Sequence, residues 1–538
     1  MSPAPSGSGT PRLVNAVLLP GFHGTAPPPW LLDAVDAGLA GVVYFAHNVP
    51  DPKTAEALSA ALLARRADLI VASDEEGGDV TRLEAATGSS YPGNAALGEV
   101  DDTDVTERVA RAIGHDLRTA GIGLNLAPDV DVNADPDNPV IGVRSFGSDA
   151  ALVARHSAAY VRGLQSAGVA ACAKHFPGHG DTAVDSHLRV PQLDADLDLL
   201  RRRDLVPFAA AIEAGSRALM TGHIRALPFG DAPASLNPEA TRLAREELGF
   251  TGAVVTDALD MGAVLLDPGF GPACVQAVLG GADLLCLGNP ESPEAAERAY
   301  RTARDALLDA VATGVLPAER LADAGHRARE LAAWIGRARA TPPPPKEDEL
   351  PLAVARAALR VRGNVAVGSP PYVIDLRQRV NHASGSRAPH LNRLLAEALP
   401  GLTATGVPAE GPAAVRADTA LRGSADRPLV VLAREPHRDA AETALLRELV
   451  ARRPDAVVVL TGWPHAVDAL AANTVVTYGS ARVNALAAVE RLLGGTLTRG
   501  PRRPAPTRAD PLRLLRPAAM RSERTSRATF VRCVPSSG

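Results

Sequence analysis

The side chains best suited to chemistry lie close together between Val169 and Pro191. An apolar segment typical of a β-strand, Val169–Ala173, ends in a loop whose glycines and proline prevent a helix from continuing. Within fourteen residues this loop carries five ionisable groups and a third histidine, namely Lys174, His175, His179, Asp181, Asp185 and His187. Such a loop is typical of an active-site rim, because loops carry chemistry while a scaffold positions them.

Three interpretations of this loop are open: a polar surface turn, a metal site and an acid/base dyad. His and Asp are common metal ligands. However, His175 and His179 are separated by Pro177 and Gly178, so they cannot share one face of a helix as the H-E-x-x-H pattern requires. The nearby thiol, Cys172, lies inside the apolar segment.

The acid/base interpretation rests on the triplet Asp185-Ser186-His187. A carboxylate two residues from an imidazole can accept a hydrogen bond from it, fix its tautomer and raise its basicity. The rest of the chain has to decide between the three interpretations.

Length, composition and net charge limit the size, the core and the partners of this protein. The chain has 538 residues, which is too long for one ordinary domain, and its 46% hydrophobic residues can form a substantial core. Aromatic residues make up only 3%, so Ala, Val and Leu must build that core. A formal net charge of −5 argues against nucleic acid as a main partner.

Cysteine usage and the start of the chain predict the cellular compartment. The four cysteines have wide, unpatterned spacing, which indicates a reducing compartment without a disulfide framework. The first twelve residues contain no apolar segment after a basic one, and no run of about eighteen apolar residues occurs in the chain. We therefore expect a cytoplasmic protein that does not associate with membranes.

Short apolar segments recur regularly before residue 290. We count eight: Leu13–Leu19, Gly41–Phe45, Leu69–Ser73, Gly123–Leu126, Val169–Ala173, Ala218–Thr221, Ala253–Thr256 and Asp283–Leu287. Segments with helical periodicity lie between them, including Asp51–Arg66, Asp102–Ala120 and Ala150–Gly168. This alternation predicts an α/β protein whose first domain is a TIM-type (β/α)8 barrel.

A barrel requires its functional side chains to follow the strands directly, at their C-terminal ends. Charged or histidine residues occur in that position after five of the predicted strands. They are Asp74 after the third, Asp129 after the fourth, Lys174 and His175 after the fifth, His223 after the sixth and Asp257 after the seventh. Their common placement predicts a shared pocket.

The remaining sequence predicts a second domain. Residues Ser292–Arg339 read as helical and would close the barrel, and four consecutive prolines within 340–349 favour an extended linker. Beyond the linker, strands and helices alternate again and predict a smaller α/β sandwich. The predicted organisation is a disordered leader 1–12, a barrel 13–339, a linker 340–349, a sandwich domain 350–498 and a disordered basic tail 499–538.

A second carboxylate of interest follows the seventh predicted strand. Asp257 comes directly after that strand, and Asp260 comes three residues later, where a helix is expected to begin. Either residue could be a helix N-cap, a common use of Asp. Asp260 fits the N-cap better, whereas Asp257 at the strand exit fits a functional carboxylate better.

The ordered motifs of the first 335 residues resemble glycoside hydrolase family 3, and within it the β-N-acetylglucosaminidase branch. The matching segments are L-L-P-G-F at 18–22, D-E-E-G-G at 74–78, D-N-P-V-I-G-V-R-S-F-G at 137–147, K-H-F-P-G-H-G-D-T at 174–182, D-S-H at 185–187, M-T-G-H-I at 220–224 and V-V-T-D-A-L-D-M at 254–261. A weaker similarity continues through A-N-T-V-V-T-Y-G at 472–479.

The resemblance implies a retaining, exo-acting hydrolase that removes terminal β-linked N-acetylglucosamine without a cofactor or metal. By this resemblance Asp257 is the nucleophile, His187 the general acid/base and Asp185 its partner. The residues expected to bind the sugar are Asp74, Arg82, Arg144, Lys174, His175 and His223. Asp257 must stay ionised, and Lys174 and Arg144 are expected to lower its pKa.

One residue departs from the family pattern, because Asp79 stands where relatives reading G-G-R-V have a basic residue. Two alternatives remain beside the hydrolase. A glycoside phosphorylase would release a sugar phosphate, because a histidine, unlike a glutamate, does not repel phosphate. A catalytically idle sugar-binding protein would bind without turnover. For the hydrolase, a cytoplasmic location implies recycled saccharides, including those from the cell wall, or imported ones; the leaving group and the oligomeric state stay open.

Overall fold

The computed structural model of the protein describes residues 9–343, 345–377, 389–407, 410–424, 426–465 and 471–495. The predicted disordered tail and the first eight residues of the predicted leader lie outside this range. The end of that leader is helical, since helix α1 begins at Thr10. No helix among the described residues is long and apolar enough to cross a membrane.

Eight parallel strands form the predicted barrel. Their bounds are β1 Leu18–Leu19, β2 Gly41–Tyr44, β3 Ile70–Ser73, β4 Leu124–Asn125, β5 Ala170–Phe176, β7 Ala218–Thr221, β9 Ala253–Thr256 and β10 Leu285–Cys286; β6 Gln192–Leu193 and β8 Arg225–Ala226 form a separate two-stranded sheet. Strands β2, β3, β4, β5, β7 and β9 are neighbours in that order, and β1 pairs with β10. Single bridges between Gly21 and Val43 and between Val255 and Leu284 complete the ring. The predicted fold class is therefore confirmed.

Two of the predicted strands differ from the structure by more than two residues at one end. The first apolar segment begins with the end of helix α1 and a turn, and only Leu18 and Leu19 form strand. Strand β5 continues through Lys174 and His175, which were expected to follow it. Both residues therefore lie at the C-terminal end of a fully buried strand rather than in a loop.

Helices surround the barrel and alternate with its strands. They are α1 Thr10–Asn15, α2 Pro29–Asp36, α3 Pro52–Arg65, α4 Asn94–Val100, α5 Thr103–Thr119, α6 Ala150–Ser166, α7 Leu197–Arg202, α8 Leu205–Glu213, α9 Pro238–Arg242, α10 Gly262–Leu265, α11 Phe270–Leu279, α12 Pro293–Ala312 and α13 Ala318–Arg339. Aspartate side chains cap α3, α5 and α6 by accepting hydrogen bonds from backbone N–H groups of the first turn. The helical segment predicted over Ser292–Arg339 is two helices, because the chain turns at Gly314, whose φ of +76° favours glycine.

The barrel interior is filled by small and aliphatic side chains, as the low aromatic content predicts. Alternate residues of the strands, such as Val43, Ala72, Leu124 and Val255, form one buried cluster inside the ring. Helix α13 joins this cluster through Leu331 and Ile335 and so closes one end of the barrel. The open end is the one at which the strands finish.

A second six-stranded sheet follows the barrel, with the order β11-β16-β15-β14-β12-β13. Its strands are β11 Arg360–Arg362, β12 Tyr372–Asp375, β13 Thr403–Gly406, β14 Leu429–Ala433, β15 Val457–Leu460 and β16 Asn473–Val476; its helices are α14 Leu350–Ala357, α15 His390–Ala398, α16 Ala413–Leu421, α17 Ala440–Arg452 and α18 Arg482–Leu492. Only β11 runs antiparallel to its neighbour. Separate buried clusters lie on the two faces of the sheet, as expected for the predicted α/β sandwich.

The segment between the two sheets is tied to the barrel. Lys346 contacts both carboxylate oxygens of Asp116 at 2.7 and 2.8 Å, and Glu347 pairs with Arg108. Arg118 donates to the backbone oxygens of Ala338 and Arg339. The domain boundaries stay a prediction.

Candidate active site

A polar cavity of about 290 Å³ opens at the C-terminal ends of the barrel strands. Its lining comes from the ends of six strands and the loops after them: Phe45, Ala46, His47, Asp74, Glu76, Val80, Arg82, Val140, Arg144, Lys174, His175, Ser186, His187, Asp257, Ala258, Asp260, Met261 and Asn289. Seven of the nine residues predicted to form the site are among these. Asp185 reaches the cavity through His187, and His223 lies behind it.

One wall of the cavity is a network of buried opposite charges. The Lys174 Nζ lies 2.7 Å from both Asp74 Oδ1 and Glu76 Oε1. Arg144 binds Glu76 with two hydrogen bonds of 2.8 and 3.0 Å, and Arg82 lies 3.5 Å from Asp74. Four of the side chains predicted to bind a sugar are therefore held by one another and by Glu76, to which the sequence assigned no role.

This pairing keeps the wall ionised although it is buried. Burial opposes ionisation of Glu76, but Arg144 and Lys174 outweigh it and hold the pKa of that carboxyl well below its usual range. In the same way, burial is outweighed at Asp74, whose pKa is lowered by Lys174 and Arg82. Fixed, buried charges of both signs can bind the hydroxyl groups of a sugar strongly.

His175 is oriented by a carboxylate that lies beneath it. Its Nδ1 donates to Asp131 Oδ2 at 2.7 Å, and its Nε2 faces Arg144 Nη2 at 3.4 Å. Burial, reinforced by the neighbouring Arg144, lowers the pKa of His175 to about 4, so its imidazole is neutral at pH 7. Asp131 also accepts the backbone N–H of His179 at 2.7 Å and thereby fixes the loop after β5.

Asp131 is a site-shaping residue that the sequence analysis missed. The signal was present in A-P-D-V-D at 127–131, but only the first aspartate of that run was considered. Burial, opposed by the N–H groups of His179 and His175, raises the pKa of Asp131 to about 6. This residue positions His175 and does not line the cavity.

Asp129, Asp131 and His175 form the one group of three metal-type donors that lie close together among the described residues. Asp131 already accepts hydrogen bonds from His175 and His179, whereas Asp129 Oδ2 accepts none from the described residues and lies 3.5 Å from Arg144. A guanidinium that close opposes a cation at the same place.

Asp257 lies at the end of β9, and its backbone N–H donates to Thr221 O at 2.9 Å. Its carboxylate accepts the backbone N–H of Ala258 at 2.8 Å. Burial raises its pKa, but His175, His223 and His187 outweigh that effect and bring the pKa to about 2. The expected ionised state holds, yet the expected cause differs, because Lys174 and Arg144 are paired with Asp74 and Glu76 instead.

The structure contradicts the N-cap interpretation of Asp260. Helix α10 begins at Gly262 with Met261 at its N-cap, and no side chain caps it. Asp260 instead accepts the backbone N–H of Asn289 at 2.7 Å, and burial raises its pKa to about 6. The pKa of Asp260 is therefore much higher than that of Asp257, although both residues line the cavity.

His187 and Asp185 are hydrogen-bonded in the loop after β5. The His187 Nδ1 lies 2.7 Å from Asp185 Oδ1, and the backbone N–H of His187 donates to the same oxygen at 2.9 Å. The His187 side chain is 32% exposed, whereas that of Asp185 is 11% exposed. The imidazole thus faces the cavity mouth. Its Nδ1 is hydrogen-bonded to the carboxylate, and Nε2 is the second ring nitrogen that can carry a proton.

Two contacts hold the dyad loop against the barrel. The His179 Nε2 lies 3.0 Å from the hydroxyl of Ser186, and the backbone N–H of Gly262 donates to His187 O at 3.2 Å. A side chain at Gly262 would meet His187 O at 2.8 Å, so glycine allows this close approach.

His223 is buried behind Asp257 and does not line the cavity. Its Nε2 lies 2.9 Å from Ala258 O, and its Nδ1 lies 2.6 Å from the Ser235 hydroxyl. Since both ring nitrogens are bonded to the protein, His223 supports the loop of Asp257, in contrast to its predicted contact with the sugar.

Asp79, the departure from the family pattern, points away from the cavity toward the second sheet. Its carboxylate lies 2.8 Å from Arg434 Nη1 and accepts the backbone N–H of Ser480 at 2.6 Å. The reversed charge is therefore matched by an arginine of the second domain.

Comparisons with known proteins agree with this geometry. Residues 33–331 match the model of the glycosyl hydrolase family 3 N terminal domain. A β-hexosaminidase A of Pseudoalteromonas piscicida is 34% identical over 333 residues, which is 57% of this chain and 55% of that relative. A β-hexosaminidase of Stenotrophomonas maltophilia (strain K279a) is 38% identical over 304 residues, which is 54% of this chain and 89% of that relative.

A solved structure resembles nearly the whole chain. It is a glycoside hydrolase family 3 β-N-acetylglucosaminidase from Paenibacillus sp. str. FPU-7, with 31% identity, a TM-score of 0.79, and coverage of 90% of this chain and 97% of that one. The chain spans only about half the length of the Pseudoalteromonas β-hexosaminidase A. The barrel, its polar cavity and the family match lead to one conclusion: this chain belongs to glycosyl hydrolase family 3.

Proposed function

We propose that the protein is a retaining, exo-acting β-N-acetylglucosaminidase. The observation that carries the proposal is the His187–Asp185 hydrogen bond of 2.7 Å at the mouth of a cavity that Asp257 also lines. A proton donor and an ionised carboxylate in one cavity are the two groups that a retaining glycosidase needs. The names of the β-hexosaminidase relatives and of the Paenibacillus enzyme support the choice of sugar.

In the first step, Asp257 attacks the anomeric carbon and the bond from that carbon to the leaving oxygen breaks. His187 gives its Nε2 proton to that oxygen, and Asp185 stabilises the imidazolium before transfer. In the second step, His187 takes a proton from water as the water oxygen attacks the anomeric carbon. The bond to Asp257 then breaks, and the free sugar leaves with retained configuration.

The sugar at which the bond breaks is proposed to bind the wall of paired buried charges, called the charged wall, together with His175 beside it. Asp74, Arg82, Arg144, Lys174 and His175 line that side of the cavity. A volume of about 290 Å³ is at the small end of ligand pockets, which span roughly 300–1,000 Å³. Such a cavity suits one terminal sugar residue rather than the interior of a chain, which favours exo action.

The test is turnover of a panel of aryl β-glycosides that differ at the 2-position, with and without phosphate. We expect hydrolysis of the N-acetylglucosaminide, and we expect a 2-fluoro sugar to label Asp257. Asp257→Ala should fold and lose turnover. A sugar phosphate as the product would favour a phosphorylase, and sugar binding without turnover would favour an idle binding protein. Labelling at Asp260 or Glu76 would refute the assignment of the nucleophile.

A further inference from the structure

The connection after strand β14 in the second domain touches the barrel loops after β3 and after β4, which carry Asp74, Arg82 and Arg144 of the charged wall. This connection, residues 434–437, is called the clamp segment here. Its Arg434 pairs with Asp79 at 2.8 Å in the loop after β3. Its His437 Nε2 donates to Pro136 O at 3.2 Å in the loop after β4.

A third contact joins the clamp segment to the turn before Arg144. Gly142 has a φ of +46°, and a side chain there would lie 3.1 Å from Glu435 Oε1. Glu435 is itself fixed, because the backbone N–H of Trp463 donates to the same oxygen at 3.0 Å. The clamp segment therefore lies directly against the turn that leads to Arg144.

The loop after β3 is built to transmit a displacement of Asp79 to the cavity. Asp79 follows the turn at Gly77 and Gly78, both with positive φ, and Val80 beside it lines the cavity. The backbone N–H of Glu76 donates to Val80 O at 3.1 Å, and that of Arg82 donates to Glu75 Oε2 at 2.8 Å. Because these hydrogen bonds join the two ends of this short loop, the ends move together.

Burial makes the pair between Asp79 and Arg434 strongly dependent on both partners. The side chains are 3% and 17% exposed, respectively. Removing one partner of a buried ion pair leaves an uncompensated charge, so the remaining side chain must move or draw in water. At Asp79 that movement occurs three residues from Arg82, which contacts Asp74.

We propose that the second domain positions the sugar-binding loops of the barrel through the clamp segment, with Asp79 and Arg434 as positioning residues. This inference rests on the proposed function, because it assumes that Asp74, Arg82 and Arg144 bind the sugar. It assigns a role to the second domain, which contributes none of the residues proposed to act on the substrate. It also accounts for an aspartate at position 79, since a basic residue there would face Arg434.

The test compares Asp79→Asn, Arg434→Met and the double variant with the full-length wild type on a chromogenic β-N-acetylglucosaminide. We expect each single variant to lower kcat/KM by up to about a hundred-fold, as misplacement of about 1 Å can do, with most of the loss in KM. The nucleophile and the dyad lie on other loops, so kcat should stay within about two-fold. The double variant should lose no more than either single variant, because the pair is already broken.

Arg434→Lys keeps the charge and should recover most of the affinity, which a purely packing role of Arg434 would not predict. The matched control is Arg360→Met, because Arg360 contacts Glu99 of the barrel at 3.2 Å, outside the sugar-binding loops. Its KM should equal that of the wild type. Calorimetric affinity for N-acetylglucosamine gives a second measurement for any variant with weak turnover, and thermal unfolding identifies variants that do not fold.

The proposal is overturned if both single variants keep the KM of the wild type, if their losses add in the double variant, or if Arg360→Met is equally harmful. Should the single variants fail to fold, the KM values of the double variant and of Arg434→Lys are compared with that of the wild type instead. An unchanged KM in the double variant then overturns the proposal. A wild type that does not turn over the substrate would instead count against the proposed function. In that case, sugar affinity measured on the same variants still tests the clamp segment.

Discussion

Glu76→Gln tests the charged wall, because it removes the carboxylate on which two buried cations depend. Arg144 makes two hydrogen bonds to Glu76, and Lys174 lies 2.7 Å from it. The side chains of Glu76, Lys174 and Arg144 are only 3%, 3% and 6% exposed. The substitution preserves the shape of the side chain, so its effect reports on charge.

The expected destabilisation follows from what each cation retains. Removing one partner of a buried pair costs about 3–5 kcal/mol. Lys174 keeps Asp74 at 2.7 Å and Arg144 keeps Asp129 at 3.5 Å, so we expect the lower end, about 3 kcal/mol. A loss of that size lowers the unfolding temperature by roughly 6–12 °C in a domain of 150–250 residues, and by somewhat less in a larger one.

The pH dependence of this loss has a definite sign. The pKa of Glu76 is lowered on folding by Arg144 and Lys174, although burial opposes them. Its stabilising contribution is therefore present above its unfolded pKa of about 4.3 and is lost as the pH falls through the folded value. The difference in unfolding temperature between the wild type and Glu76→Gln should be full at pH 7 and should shrink below pH 4.

The neighbouring residue provides a matched control. Glu75 is equally buried, yet burial without a cationic partner raises its pKa to about 7. Its protonated form is close to glutamine in shape and charge, so Glu75→Gln should leave the unfolding temperature nearly unchanged at pH 5. As the pH rises from 5 to 7, Glu75 is ionised in the unfolded state but still largely protonated in the folded state, so the wild type should lose stability. The variant should lose less, and above about pH 7 the difference should stay constant.

Calorimetry from pH 3.5 to 8 measures these differences, and kinetics on a chromogenic β-N-acetylglucosaminide measure the site. We expect Glu76→Gln to lower kcat/KM by about a hundred-fold, because Arg144 and Lys174 are no longer fixed. If Glu76→Gln unfolds within two degrees of the wild type at pH 7, or if Glu75→Gln is equally destabilising at pH 5, the electrostatic reasoning is wrong.

Three further predictions concern the chemistry and the location. His187→Ala should slow substrates with poor leaving groups about a hundred- to ten-thousand-fold more than activated aryl glycosides, and Asp185→Asn should do so more mildly; equal slowing of both substrate classes, or loss of activity on chelation of metals, would contradict the dyad. Because the pKa of Asp257 is about 2 whereas that of Asp260 in the same cavity is about 6, the rate of the double variant His187→Ala with Asp260→Asn on an activated substrate should fall less than tenfold from pH 7 down to pH 4; a larger fall in this double variant would contradict the low pKa of Asp257. Cell fractionation should find the protein in the cytoplasm, and its recovery from the culture medium with a trimmed N-terminus would exclude that location.

Local patterns in the sequence were enough to predict the barrel. Eight apolar segments alternate with amphipathic ones, and strands of a parallel barrel are buried on both faces, so each appears as a continuous apolar run. Where a run was short or mixed, local pattern was insufficient. Leu13–Leu19 contains the end of helix α1, a turn and only two strand residues. The second sheet and the helices beside it include β11, β13, α15 and α16, which the sequence analysis did not predict.

The sequence also determined which residue types reach the cavity, because residues that end parallel strands meet at one end of the barrel. Asp74, Lys174, His175 and Asp257 meet in this way although they lie far apart in the chain. The dyad was predictable for a different reason, since Asp185 and His187 are two residues apart and their hydrogen bond is local.

Only the tertiary structure decided how these groups are paired and charged. Pairing depends on distances between loops: it joins Lys174 and Arg144 to Glu76, leaves histidines around Asp257 and places His223 behind the cavity. The same holds for Asp79, whose partner Arg434 lies 355 positions later in the chain. Charge at a buried site is set by the nearest opposite charge and by loss of water, and neither can be read from a residue's neighbours in sequence.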